Sequence, residues 1–262
     1  MGLLVIVPFQ NESALLPVLL ESIAAQTRAP DRLVLVDDGS DDGSTELAQA
    51  FATEHAYADA LVLARRPPSR DRLARAHELR AFEAGLAHAG GAAGQGVIAK
   101  LDADLRMPPA TFAALMDEME RDPRLGLVGA LLSVEGPGGT LVREPCPPGH
   151  VRGATKFYRD ACLEQIAPLP AVLGWDTLDE LAARSRGWST RSIAVPGSDV
   201  VHLRPVGSHD GWWRWNHRGG MAAYGYGLGP LTAAATAVAR VRRRPRILAS
   251  VAFAAGWARA AA

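Results

Sequence analysis

Short apolar runs alternate along the chain with longer stretches in which apolar residues recur every three to four positions, the pattern of strands alternating with helices. Residues 3–7 predict a first strand. Beyond "PFQNESAL", Pro17 suits the first turn of a helix whose apolar face is Leu16, Leu19, Leu20 and Ile23. Residues 33–36 predict a second strand that runs into "DDGSDDGST"; a helix over roughly residues 45–55 and a third strand at 61–63 follow. A polar, proline-containing loop, "RRPPSRDR", leads to a helix with Leu73, Ala76, Leu79, Phe82 and Leu86 on one face. Residues 97–101 predict a fourth strand, Phe112, Leu115, Met116 and Met119 mark another helix, and "LGLVGALLSV" reads as the strand after it. Four parallel strands with right-handed crossovers make a Rossmann-like half. From about residue 140 the pattern is less regular, and this segment is expected to cover one face of the sheet.

Ligands of open parallel sheets bind at the carboxyl ends of the strands. The carboxylates gather at those ends: Glu12 after the first strand, Asp37 and Asp38 after the second, Asp102 and Asp104 after the fourth. The last pair interrupts "VIAKLDADLRMPP". One residue apart on an extended backbone, the two side chains share a face, and two carboxylates so close repel unless a cation or a proton lies between them. Oxygen ligands of this kind suit Mg²⁺ or Mn²⁺ beside a phosphate. A solvated loop with a helix cap is the alternative. In "LVLVDDGSDDGST", Asp37 could accept from a base or ribose hydroxyls, or the segment is a capped turn. Neither the Walker A lysine nor G-x-G-x-x-G is present, so an ATPase loop and a dinucleotide fingerprint are excluded.

Two later segments add candidates. "GWDTLDELAARSRGW" places Asp176, Asp179 and Glu180 at or near a helix start. A carboxylate there could act as general base on a hydroxyl, with Trp175 stacked on a sugar ring, or the acids suit the helix dipole and the tryptophan is core. In "DVVHLRPVGSHDGWWRWNHRGG", His202 could complete a metal shell and Arg204 could pair with a phosphate. His150 and Arg152 are candidate acceptor-side residues, and Arg75 and Arg80 could reach a diphosphate or simply be solvated.

Composition narrows the classes. With 28 basic and 28 acidic residues in 262, global charge does not favour nucleic acid, despite the aromatic "WWRWNHRGG". Two cysteines make neither a disulfide framework nor a metal cluster. The opening "LLVIVP" reads as a strand rather than a signal peptide, which predicts a cytoplasmic protein.

In order, "VIVPFQNE", "LVLVDDGSDDGS", "VIAKLDADLRMPP", "VRGATKFYRDACL", "GWDTLDELAARSRGW" and "VVHLRPVGS" resemble a family 2 glycosyltransferase with the GT-A fold, over roughly residues 3–230. The resemblance implies an α/β architecture, a mostly parallel central sheet flanked by helices, with an irregular acceptor-side half. The implied division is a glycosyltransferase domain at 1–232 (nucleotide-binding 1–105, acceptor side 106–232) and a helical tail at 233–262. It also implies inverting transfer of a sugar from a nucleotide diphosphate donor to a hydroxyl of a glycan or lipid-linked acceptor, as in synthesis of cell-surface glycans, glycolipids or glycoconjugates, with Mn²⁺ or Mg²⁺ as cofactor. Under it, Pro8 and Glu12 line the nucleotide site, and Asp37 or Asp38 contacts base or ribose. Lys100 and Asp102 lie on the donor side, Asp104 and His202 at the metal, and Asp176 is the base with Asp179 as its competitor. Trp175 stands where Glu is common in the base motif, and no Q-x-x-R-W follows, which argues against a processive synthase. A catalytically degenerate nucleotide-sugar binder is the alternative.

After "GYGLGPL" the chain turns Ala-rich, then basic in "ARVRRRPR", then apolar again. The final run, "ILASVAFAAGWARAAA", is too short and interrupted to span a bilayer, and residues 238–262 either dock on an anionic membrane surface or pack on the domain or a dimer partner.

Overall fold

The computed structural model describes residues 1–64, 76–204, 211–241 and 246–262. Strand β1 (Leu3–Phe9) is buried along its whole length, as a strand covered on both faces must be. Its alternation divides the core. Leu3, Val5, Val7 and Phe9 join the cluster packed by α1 (Leu16–Ala24), α2 (Ser44–Glu54) and α4 (Thr111–Arg121), while Leu4 and Ile6 join that of α3 (His77–His88), α5 (Asp160–Ile166) and α6 (Trp175–Ser185). At Gly85 in α3 an added Cβ would lie 2.7 Å from side-chain atoms of both Ile6 and Val36, so the absence of a side chain there sets how closely α3 approaches the sheet.

β1 is flanked by β2 (Arg32–Asp37) and β4 (Val97–Leu101), and β3 (Ala58–Val62) pairs with β2, all parallel as the alternating pattern predicts. The expected strand "LGLVGALLSV" divides at Leu131 into β6 (Leu125–Ala130) and β7 (Leu132–Glu135), which join different sheets. The segment after residue 140 does more than expected. It covers one face through α5 and α6, and it also sends β9 (Thr155–Arg159) antiparallel between β4 and β6, and β10 (Ser189–Ile193) parallel along the outer side of β6. The seven-stranded order is β10-β6-β9-β4-β1-β2-β3. A smaller sheet, β5-β11-β7-β8, combines β5 (Leu105–Arg106), β7, β8 (Leu141–Arg143) and β11 (Val200–His202). Its antiparallel β5–β11 ladder sets His202 opposite Leu105, next to the aspartate turn.

The chain forms two compact units, one of residues 1–171 and 175–203, the other of residues 172–174 and 204–262. The break falls at Leu203/Arg204 rather than at the expected 232/233, because α7 (Gly211–Gly225) packs on α9 (Arg246–Ala261). Those helices meet without room for side chains: a Cβ on Gly220 would lie 2.0 Å from the Phe253 carbonyl oxygen, and one on Gly256 1.8 Å from that of His217. With α8 (Pro230–Arg240) they form a three-helix unit. The helix expected to include Leu73 begins, within the described residues, at His77; Leu73 and Arg75 lie outside them.

Candidate active site

Strand β4 delivers its last residue, Leu101, to the carboxyl edge of the sheet, and the chain turns there through Asp102, Ala103 and Asp104. The turn is fixed from both sides. Asp102 N–H donates to the Ala154 carbonyl at 3.0 Å, and Leu203 N–H donates to that of Asp104 at 2.8 Å. One ligand atom from each of Asp102, Asp104 and His202 falls within 4.8 Å of the others. His202 Nε2 lies 3.3 Å from Asp104 Oδ1, whereas its Nδ1 is buried without a hydrogen-bond partner among the described residues. Burial disfavours the imidazolium, but the hydrogen bond to Asp104 and the charges of Asp104 and Asp102 outweigh it and raise the pKa of His202. Two carboxylates and an imidazole are a donor set that fits a divalent cation.

Lys100 lies inside β4 and is buried, so its charge needs partners. Nζ donates to Asp102 Oδ1 and to the Gly153 carbonyl (3.1 Å), and is paired with Glu78 at the start of α3. It also sits 5.8 Å from the centre of the Trp175 ring. Trp175 is itself core, packed in the cluster of α3, α5 and α6, so its place in the fold is structural rather than that of a sugar-stacking surface.

The acids of α6 have different environments. Asp179 is 0 % exposed; Lys156 Nζ donates to both its oxygens at 2.7 Å, and the Tyr158 hydroxyl donates to Oδ2 at 2.5 Å. Glu180 accepts from the Val151 N–H at 3.1 Å and lies 3.0 Å from His150 Nδ1. Arg152 is paired with Glu144 at 3.3 Å. Asp176 is the half-buried member, one turn nearer the helix start. Its carboxylate lies against Gly153, where an added Cβ would sit 2.8 Å from Oδ2. Burial raises its pKa, Lys156 and Lys100 oppose that, and Asp179 and Glu180 add to it; the balance is upward. Gly153 thus adjoins Asp176 while its carbonyl receives Lys100, which also holds Asp102.

Lys156 is the residue that sequence reasoning passed over. It is 0 % exposed on β9, directly opposite Lys100 on β4, and also donates to the Asp176 carbonyl. The signal was a lysine within "TKFYR", a strand-like run, together with an acidic cluster later in the chain whose charge could neutralise it.

At the end of β2, Asp37 is buried and folded into its own turn: Oδ1 accepts from the Ser40 N–H (2.8 Å) and hydroxyl (2.7 Å), and Oδ2 from the Thr45 hydroxyl. Asp38, also buried, places Oδ2 3.5 Å from His77 Nδ1. Pro8 is buried in β1 opposite Val36, and Glu12 lies in the loop beyond, its N–H donating to the Ser44 hydroxyl at 2.8 Å. Arg204 opens the second unit, and Arg80 is exposed on α3. Burial, and after it the charge of Asp179, pushes the Cys162 thiol up to about 12. In the folded protein iodoacetamide at pH 8 is therefore expected to label Cys146 and to reach Cys162 only after denaturation, as peptide mass mapping would show.

The mostly parallel sheet, with carboxylates at its carboxyl edge, has the GT-A fold. Residues 4–164 match Glycosyl transferase family 2, and the chain belongs to that family. Solved structures with this fold include the Pyrobaculum calidifontis mannosyltransferase PcManGT, in complex with GDP-Man and Mn²⁺ (20% identity, TM-score 0.61, covering 99% of this chain and 72% of that one). Another is S. aureus TarS, residues 1–349 (16%, TM-score 0.57, 98% and 90%). GalNAc-T7 with UDP, GalNAc and Mn²⁺ is also similar (15%, TM-score 0.59, 83% and 47%). A search of curated proteins gave no match.

Proposed function

We propose that this glycosyltransferase moves a sugar from a nucleoside diphosphate donor to an acceptor hydroxyl with inversion at the anomeric carbon. What supports it above all is the gathering of Asp102, Asp104 and His202 within 4.8 Å at the carboxyl edge, with Asp176 joined to that cluster through Gly153 and Lys100. Asp104, His202 and Asp102 would hold Mn²⁺ or Mg²⁺, which when bound offsets the charge developing on the departing diphosphate. The similarity to structures carrying GDP-Man or UDP with Mn²⁺ accords with such a donor and ion.

The residues divide the work. Asp176 accepts the proton of the acceptor hydroxyl as its oxygen attacks the anomeric carbon, while the bond to the diphosphate oxygen breaks on the opposite face. Asp179 is assigned a structural role, since both its oxygens are committed to Lys156 and Tyr158. Contact with the nucleoside is assigned to Asp38, together with Pro8 and Glu12, because Asp37 already serves its own turn. Lys100 orients Asp102 and neutralises part of the acidic edge.

Calorimetric titration with UDP, GDP, TDP and CDP, in Mn²⁺ and in EDTA, tests this. One nucleotide is expected to bind in Mn²⁺, with EDTA or Asp104→Ala weakening it roughly 100-fold or more, the scale of a lost metal contact to a diphosphate. Folded protein that binds none of the four in Mn²⁺ would refute the mechanism; nucleotide binding without transfer to any acceptor would instead favour the degenerate binder.

A further inference from the structure

The second unit is built with its bulk on the outside. Its buried apolar residues are mostly small, among them Ala222, Ala223, Ala233, Ala249 and Ala252, with Phe253 the one large apolar side chain buried among its described residues. Larger apolar side chains point outward: Leu231 is 86% exposed, Val238 71% and Ile247 70%, with Leu248 and Val251 about half exposed. Successive turns of α9 repeat this, so Ile247, Leu248, Val251, Ala254, Ala255 and Ala258 form one exposed apolar stripe. Trp212, Trp213 and Trp215 are exposed at the start of α7. A helical unit bathed only in water packs the other way round, whereas small residues between helices and large apolar ones outside suit an apolar medium.

The charge is equally one-sided. Nine of the chain's 28 basic residues and one of its 28 acidic residues fall in 204–262, so that stretch carries a formal +8 and residues 1–203 carry −8. Arg240 is turned inward, its guanidinium 4.3 Å from the Phe253 ring centre and hydrogen-bonded to Asn216 Oδ1 at 2.9 Å, while Arg259 is exposed beside the α9 stripe.

We infer that the outer face of α8 and α9, with the tryptophans of α7, docks on an anionic lipid surface. Basic residues attract anionic headgroups, tryptophans favour the interface, and the apolar stripes enter the boundary of the acyl chains. The helices lie on the membrane rather than through it: α9 has 16 residues, and no helix among the described residues is long and apolar enough to cross. Charge favours lipid over a second copy, since a two-fold dimer through this face would bring two +8 stretches together. It favours lipid over nucleic acid too, because the apolar stripe of α9 offers phosphates no donors. None of this depends on the sugar-transfer reading.

Flotation of the full chain with vesicles tests it. Phosphatidylcholine vesicles containing 30 mol% phosphatidylglycerol are expected to bind the protein roughly tenfold or more tightly than phosphatidylcholine alone, and 0.5 M NaCl to remove most of that gain. Tryptophan emission should shift to the blue on binding. The double variant Leu248→Asp, Val251→Asp changes exposed positions, so its circular dichroism and melting temperature should match the parent while vesicle affinity drops roughly tenfold or more. No preference for anionic vesicles, or binding that the variant leaves intact, would overturn the proposal. So would a failure to bind vesicles accompanied by self-association or nucleic-acid retention that the variant abolishes, because a protein or nucleic acid would then be what covers this face.

Discussion

Asp176→Asn is expected to lower kcat by about 10²–10⁴-fold, the usual contribution of a positioned general base, while the Kd for the nucleotide stays within about twofold. The amide keeps the shape of the carboxylate beside Gly153 but cannot take a proton, and in the proposed role the group acts on the acceptor rather than on the donor. The pH profile supplies a second check with a definite sign. As the proposed base Asp176 works deprotonated, and burial, outweighing Lys156 and Lys100, raises its pKa from the ordinary aspartate value. Activity is therefore present above that raised pKa and lost as pH falls through it, so the acidic limb of kcat/KM should lie at higher pH than a solvated aspartate would give, and vanish from the residual rate of Asp176→Asn. If Asp176→Asn retains parental turnover in a steady-state assay, the base lies elsewhere.

Asp179→Ala is expected to destabilise the fold rather than remove a chemical step. It takes from the fully buried Lys156 its closest carboxylate, leaving Glu180 Oε1 at 3.6 Å, and from the Tyr158 hydroxyl its acceptor. Removing one partner of a buried ion pair costs about 3–5 kcal/mol. In a domain of this size each kcal/mol lowers Tm by roughly 2–4 °C, so a fall of about 6–20 °C should appear in calorimetry. The double variant Lys156→Met, Asp179→Leu removes both charges and should recover much of the loss, because an apolar pair replaces an ionic one. A thermally unchanged Asp179→Ala protein that has lost turnover would point instead to a chemical role. The two variants thus separate neighbouring acids on one helix by different observables, rate for Asp176 and melting for Asp179.

The reasons that some of this was legible in the sequence are physical. Strand β4 was readable to the residue, since a run of five inward residues stops at a carboxylate that cannot continue it. The gathering of acids at strand ends follows from parallel topology, which the alternation of short apolar runs and helical periods dictates. The burial of Lys156 within the strand-like "TKFYR" was not legible, because its charge is neutralised by an acid on α6, 23 positions away, which a local pattern cannot show. The break at Leu131 was hidden for the converse reason: both halves are apolar, and only their different sheets tell them apart. The choice between Asp176 and Asp179 was equally invisible, since each stands in the first half of the same helix and only burial and partners distinguish them. Asp37 carries both readings in its sequence, turn and ligand, and its bonds to Ser40 and Thr45 are those of the turn.

The position of β9 has a consequence for how such an enzyme could be taken apart. The chain leaves the main sheet after β6 and comes back to fill the gap between β4 and β6, so neither side of the sheet closes without a strand supplied late. A polypeptide severed between residues 136 and 150 would yield a leading piece in which β4 has one bare edge and β6 has lost both neighbours, the kind of unpaired backbone that recruits other chains. The stretches before and after residue 140 are therefore interwoven rather than modular. Exchange of whole halves at residue 140 between relatives would break both edges of β9, whereas changes in the loops would leave the sheet paired.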